Sequence, residues 1–376
     1  MQPAVLIRLR PSGPWRYGPG DGGEDRVDAM FRSDRLYSAV TIAMKQLGFL
    51  EEWLDATARA VTPAVAFSSL FPFQAETLFA PPPATLWPPP TSLVTTTSPV
   101  FLAKIRWSAA HFVPLSLIES VLAGHSILAD QWIPDAESGC LLRRDRPASS
   151  PFRVLTRSGA AVDRVTHSAV HVTSSACVEF EAGSGLWTVA RYADAAAETA
   201  WAGKVEGAFR LLADTGFGGR RSSGWGRTEA PQFEQGTLPG LLMPKLGRAL
   251  GNGGNGRADA GTSLYWLLSL YSPTGTDAVD WSGGDYQLVS RGGHIESAGA
   301  SSTKKKRARM ISEGSVLAAN VEPAGAVVDV APDGFAHPVY RSGLALALKL
   351  PVLQQTPVPQ VETPATEAGG EQSDEI

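Results

Sequence analysis

The chain is poor in the residues that carry redox and metal chemistry. It holds two cysteines, Cys140 and Cys177, and no CxxC pair. Neither a disulfide framework nor a zinc knuckle can be built from them, and a reducing compartment, the cytoplasm, is expected. Six histidines are present, with no HxH spacing and no carboxylate cluster beside them, so no metal site and no cofactor are expected. No apolar run approaches the ~20 residues needed to cross a membrane. Arg8 and Arg10 interrupt the start before any long apolar stretch, so no secretory signal is expected. Charge of one sign is also missing. Lys and Arg number 33 against 37 Asp and Glu, a net charge of −4. A nonspecific nucleic-acid binder is usually basic overall, so the charge argues against that class but not against a local basic groove.

What is present begins with a stretch from Asp214 to Arg227, DTGFGGRRSSGWGR. Gly216, Gly218, Gly219, Gly224 and Gly226 are interleaved with Arg220, Arg221 and Arg227, and with Ser222, Ser223 and Trp225. Glycine lets another polymer approach the backbone closely, and successive exposed N–H groups can form an anion site. Arginine adds a planar fork that fits phosphate and stacks on bases. The chemistry suits a phosphodiester backbone. A P-loop is excluded because the stretch has no Lys, and a dinucleotide fingerprint because the glycines follow a helix instead of opening one. The helix is read from Trp201, Val205, Ala208, Phe209 and Leu212, with Asp194 as N-cap and Gly216 as stop. From these residues alone, a glycine turn with no ligand remains the alternative.

The 376 residues allow two or three domains at roughly 150 each. Val5, Ile7 and Leu9 alternate as a first strand. Ser33-Asp34 reads as an N-cap before the helical stripe Leu36, Ala39, Val40, Ala43 and Leu47, stopped by Gly48. Proline triplets at 81–83 and 88–90 deny a central strand there. The segment 147–171, with Arg153, Arg157 and Arg164, reads as an extended hairpin or flap whose basic density suits phosphate, with a solvated loop an equal alternative. A strand is expected near Thr228 to Phe233, then a Gly/Asn-rich linker over 236–261. Further strands follow at Leu264 to Leu270, at Tyr286 to Val289 and at Leu344 to Leu350. The run Lys304, Lys305, Lys306, Arg307 and Arg309 reads as a solvated face. Residues 352–376 carry five acids and no base and read as a disordered acidic tail. Trp15, Trp87, Trp107 and Trp132 lie in or near loop-like stretches, so exposed apolar surface for partners is expected, while core is the safer reading for each taken singly.

These features, in this order, resemble the RAMP superfamily of CRISPR proteins, and within it subunit four of the type III-A (Csm) effector complex. The matching segments are SDRLYSAV from Ser33, DRVTHSA from Asp163, GLWTVAR from Gly185, GFGGRRSSGWGR from Gly216, RGGHI from Arg291, EGSV from Glu313 and HPVYRSG from His337. The resemblance implies an α+β protein of two ferredoxin-like (RRM-like) domains. The first, 1–235, would carry the flap and glycine loop. The second, 262–351, would be degenerate, since too few helices are found in it. The resemblance also implies a noncatalytic subunit that binds the 5′ repeat-derived handle of the guide RNA and adjacent target RNA. Its partners would be the large palm-domain subunit and the adjacent RAMP backbone subunit, with no membrane. To the loop residues it adds Ser33, Asp34, Arg157, Arg164, Thr166, Arg291, Tyr340 and Arg341 as RNA-binding candidates. Two alternatives stay open: a RAMP endoribonuclease that cuts repeat RNA through a histidine, and the corresponding type III-B (Cmr) subunit.

Overall fold

In the computed structural model the described residues are 2–18, 26–28, 30–97, 99–145, 149–163, 165–166, 168–252, 262–295 and 303–351. Arg164, His167 and the acidic tail of 352–376 lie outside them.

The first strand, Gln2–Leu9, is apolar on both faces and sits inside an antiparallel sheet. Gln232–Leu238 lies on one side of it and Ser184–Tyr192 on the other, with Val5 opposite Ala190 and Ile7 opposite Thr188. Phe71–Gln74, Thr77–Ala80 and Val113–Pro114 continue the sheet outward, and Val65–Phe67 also pairs with Ser184–Tyr192. Number Gln2–Leu9, Phe71–Gln74, Ser184–Tyr192 and Gln232–Leu238 in chain order. Their order across the sheet is then 4-1-3-2. Helices Ser33–Gln46 and Ala195–Thr215 fill the two crossovers and pack on each other. This is the split βαβ arrangement of ferredoxin-like domains.

Two insertions interrupt it. Residues 84–149 carry helices Val100–Ser108 and Leu115–Leu122 and a small ribbon, Trp132–Pro134 with Leu141–Arg143. The flap follows as a long hairpin, Phe152–Val162 with Ala169–Phe180, whose strands pair with each other and join no larger sheet.

The second unit is built of strands. One sheet runs Val279–Asp285, Val316–Ala319, Ser263–Leu267, Ala347–Lys349. Two ribbons flank it, Leu288–Arg291 with Ala308–Ile311 and Gly325–Asp329 with Tyr340–Leu344. Among the described residues no helix follows Asn252, so the degeneracy expected of this unit extends to both of its helices.

The expected linker differs from the structure. The fourth strand runs on to Leu238, and helix Pro244–Asn252 follows inside the segment. The glycines there serve close packing: a Cβ on Gly247 would lie 2.4 Å from the Gly240 Cα. The Glu119 carboxylate accepts hydrogen bonds from the Lys245 and Leu246 N–H groups at 2.6 and 2.9 Å, which caps the helix.

One core runs through both units. Trp266, Leu268, Val316, Leu346 and Leu348 are buried in the same cluster as Val40, Phe71 and Trp187. Trp15 and Trp107 are also fully buried, the core reading for each taken singly. Trp107 stacks on Trp87 with centroids 5.4 Å apart, and Trp15 meets Phe217 edge-on at 4.6 Å beneath the glycine loop. Their neighbours in sequence look loop-like, but large aromatics bury more apolar area than such segments can leave exposed.

Candidate nucleic-acid interface

The first helix starts at Ser33, with Arg32 as an N-cap that makes no side-chain cap bond. Ser33 therefore does not cap, as the sequence pattern had implied. Its hydroxyl accepts a hydrogen bond from the Leu270 N–H of the second unit at 3.0 Å, and its own N–H donates to the Ser69 hydroxyl at 2.8 Å. Asp34 follows and is 2% exposed. Both its oxygens are taken. Arg291 donates from Nε and Nη2 at 3.1 and 3.0 Å, and Arg341 donates from Nη1. Burial works against the charge of Asp34, but the Arg291 and Arg341 guanidiniums outweigh it and hold the carboxyl below the usual range. Arg291 and Arg341 are 2% and 6% exposed. Three of the residues proposed for RNA thus form a buried ionic lock between the units, and a fourth, Ser33, belongs to the same seam. Arg32 adds a parallel bridge to Glu313, whose carboxylate also accepts from Ser69.

The glycine loop approaches this seam. Asp194 caps its helix by accepting from the Ala197 N–H at 2.8 Å, and Gly216 ends it at φ +75°, both as the sequence implies. Gly218 has φ +95°, and a Cβ there would lie 2.7 Å from the Arg16 carbonyl oxygen. The loop is thereby pressed on segment 14–16, and the Gly219 and Gly226 N–H groups donate to the Arg16 and Pro14 carbonyls. The N–H groups of Phe217, Ser223, Gly224 and Trp225 are bonded within the loop. Most of the expected row of exposed N–H donors is therefore spent, and side chains must carry the attraction for phosphate. Arg220 stands in the left-handed region at φ 57°, its guanidinium 5.8 Å from the Trp225 ring. Arg221, Ser222 and Ser223 form a short 3₁₀ turn, with Ser222, Ser223 and Arg227 exposed.

Between the loop, the first helix and the second unit lies a cleft of about 460 Å³. Arg35, Arg221, Lys305 and His294 line it, with Gly218, Gly219 and Tyr340. The apolar part of the wall is Ala39, Ile42, Leu212 and Phe217. Asp34 is the one acid of the lining among the described residues, and it is already doubly paired. Positive charge is in surplus. Burial, and then the nearby Arg291 guanidinium, push Arg35 down to about 10, and its Nη1 is buried with no hydrogen-bond partner. Burial, and then Arg341, lower Lys305. Neither Arg35 nor Lys305 was singled out for RNA from the sequence. Lys305 sat inside a run read as a solvated face. That reading holds for Lys304, Lys306, Arg307 and Arg309, which are exposed, while Lys305 turns inward. The one signal for Arg35 was its place one residue after Asp34.

The flap residues are not part of this cleft. Arg153 pairs with Glu181, and Arg157 with Glu179, across the hairpin. The basic density there is largely neutralised. Thr166 is exposed near the hairpin turn. Among the described residues no group of three or more His, Cys, Asp or Glu could hold a metal ion. No described helix is long and apolar enough to cross a membrane.

Residues 260–350 match the family model of the CRISPR Csm4 C-terminal domain. Among solved structures, a chain of the Csm3–Csm4 subcomplex of the type III-A CRISPR-Cas interference complex is similar at a TM-score of 0.57 and 14% identity. The match covers 92% of this chain and 98% of that one. A chain of the Csm1–Csm4 cassette in complex with cA4 is similar at a TM-score of 0.53 and 17% identity, over 94% and 99% of the two chains. At these identities the likeness is one of fold. No curated protein matches.

Proposed function

We propose that this chain is the noncatalytic Csm4-type subunit of a type III-A CRISPR effector complex, acting in the cytoplasm. It holds the 5′ repeat-derived handle of the guide RNA in the cleft between glycine loop, first helix and second unit. It bridges that RNA to the large palm-domain subunit on one side and to the adjacent RAMP backbone subunit on the other. The observation that carries the reading is the cationic surplus of the cleft. Arg35, Arg221 and Lys305 come from three distant parts of the chain, and the single acid among them is already neutralised. Burial disfavours the charged forms of Arg35 and Lys305, and a phosphate backbone supplies compensating charge. The Csm4 C-terminal domain match and the Csm3–Csm4 and Csm1–Csm4 fold likenesses support the choice of complex and partners.

The test is binding of a labelled handle-length RNA to the full chain. Arg221→Glu and Lys305→Glu should each weaken it by about tenfold or more, as for a lost charge-assisted hydrogen bond. Each should also flatten the log–log salt dependence by roughly 0.7. Unchanged affinity and slope in both variants would remove the cleft from the RNA path. Co-purification with the large subunit tests the bridge.

His294 lines the cleft, which favours one other reading, a repeat-cutting endoribonuclease. Labelled repeat RNA incubated with the chain without metal separates the two. A defined cut that His294→Ala abolishes would make the chain an enzyme.

A further inference from the structure

The glycine loop lies at the edge of the large sheet marked by Gln232–Leu238. At the opposite edge, beside Thr77–Ala80 and Val113–Pro114, is a second groove of about 400 Å³. Gln74, Ser116, Ser120, Trp132, Arg143 and Lys245 line it. Its volume lies in the range of small-ligand sites, about 300–1,000 Å³. The rest of the wall is largely apolar, with Phe79, Pro114, Leu117, Leu141 and Leu142 beside Trp132. The Arg143 guanidinium stands 5.8 Å from the Trp132 ring centroid, so a cation and an indole form one platform.

The acids near the groove are engaged. Asp145 pairs with Arg143, accepting from Nε at 2.8 Å. Glu119 shares a helix with Ser116 and Ser120, but its carboxylate is buried and spent on the Lys245 and Leu246 N–H groups. Among the described residues the Lys245 ammonium makes no ion pair, and Arg144 is exposed nearby. An aromatic platform beside an unpaired ammonium, with hydroxyl and amide groups around it, is the chemistry of a nucleotide site. A base has a π-face for Trp132, and its phosphate has charge for Lys245. An acidic peptide would use the lysine and make no use of the indole.

We propose that this groove is a second nucleotide site, which holds one unstacked nucleotide of a single-stranded RNA with its base on Trp132 and its phosphate at Lys245. The site is independent of the handle cleft, and its test separates the two. A fluorescein-labelled oligouridine of about ten nucleotides is titrated into the full chain carrying both Arg221→Glu and Lys305→Glu, which together weaken the first cleft. Trp132→Ala and Lys245→Glu, each added to that background, should lower the remaining affinity by about tenfold, the scale of one lost stacked base. Trp132→Phe should restore most of it. Ultraviolet crosslinking of the same RNA should yield an adduct at Trp132. Unchanged affinity in both variants would overturn the site. So would a Trp132→Phe variant as weak as Trp132→Ala, because the indole would then only position Arg143. Binding of a polyglutamate peptide that competes with no RNA, and is lost in the same variants, would overturn the nucleotide assignment.

Discussion

Arg35 carries the sharpest consequence at the scale of single residues. Its folded-state value is lowered, so the folded protein disfavours its proton. The sign follows: the charge destabilises the free chain at neutral pH, and relief comes only as pH rises past about 10. Arg35→Gln should therefore raise the melting temperature of the free chain, by roughly 1–3 °C, while weakening handle RNA by about tenfold or more. Scanning calorimetry and a binding titration on one preparation check both halves. A variant that loses stability would show that Arg35 holds the fold instead of waiting for an anion. The glycines give a second test. Gly218 has a positive φ and a backbone oxygen in the Cβ position, so Gly218→Ala should destabilise the loop whether or not RNA binds. Gly219 lacks the positive φ, and its Cβ would meet Arg16 at an ordinary 3.4 Å. Gly219→Ala should fold normally and read out RNA approach alone, measured as a loss of affinity at unchanged melting temperature.

Among the elements, the flap shows how composition misleads. Its arginines looked like a phosphate track, yet Glu179 and Glu181 face Arg157 and Arg153 across the strands. The pairs are exposed, so each is worth little to stability, but each carboxylate offsets its arginine's attraction for an anion. Glu179→Gln should free Arg157 and steepen the salt dependence of RNA binding, whereas Arg157→Ala should change it less than Arg221→Glu does. Equal slopes for Arg157→Ala and Arg221→Glu would place the flap on the RNA path with the cleft. The first helix is the other element whose role changed. Its first turn points into the second unit, which makes it a hinge pin between units and the wall of the cleft together.

For the whole molecule, the Asp34 lock decides how the units stay together. Removing the carboxylate leaves Arg291 and Arg341 buried against each other, and loss of one partner of a buried pair costs about 3–5 kcal/mol. Asp34→Ala should lower the unfolding free energy by that scale, read from denaturant midpoints and slopes, and replacing both arginines by Met in the same chain should recover much of it. Asp34 is held below the unfolded carboxylate value of about 3.9, so its contribution is present at neutral pH. It should fade as pH falls below about 4 through the folded value, and the fade should be absent in Asp34→Ala. Denaturant midpoints between pH 6 and pH 3 report this. The acidic tail is expected to matter little here: truncation after Pro351 should leave handle binding within a factor of two, because like charge contributes no grip on RNA.

Local pattern determined a good part of this protein. The alternation of Val5, Ile7 and Leu9, the stripe from Trp201 to Leu212, the Asp194 cap and the Gly216 stop each follow from forces acting within one turn or one strand. The ordered motifs also carried the resemblance that the Csm4 C-terminal match over 260–350 supports. Helix Pro244–Asn252 escaped notice because Gly247 lowers helix propensity, and only packing on Gly240 and capping by Glu119 repay that. Which charges face solvent was not legible either. Asp34, Arg291 and Arg341 were RNA-binding candidates by resemblance, and Arg153 and Arg157 part of a basic segment suited to phosphate, but a sequence does not say which carboxylate lies across a strand or a domain seam. Lys305 and its neighbours Lys304 and Lys306 are chemically alike, and only the path of the chain turns one into the cleft and two to water. Charge is a property of the residue, but its availability depends on partners brought from hundreds of positions away, and those are set by the tertiary fold.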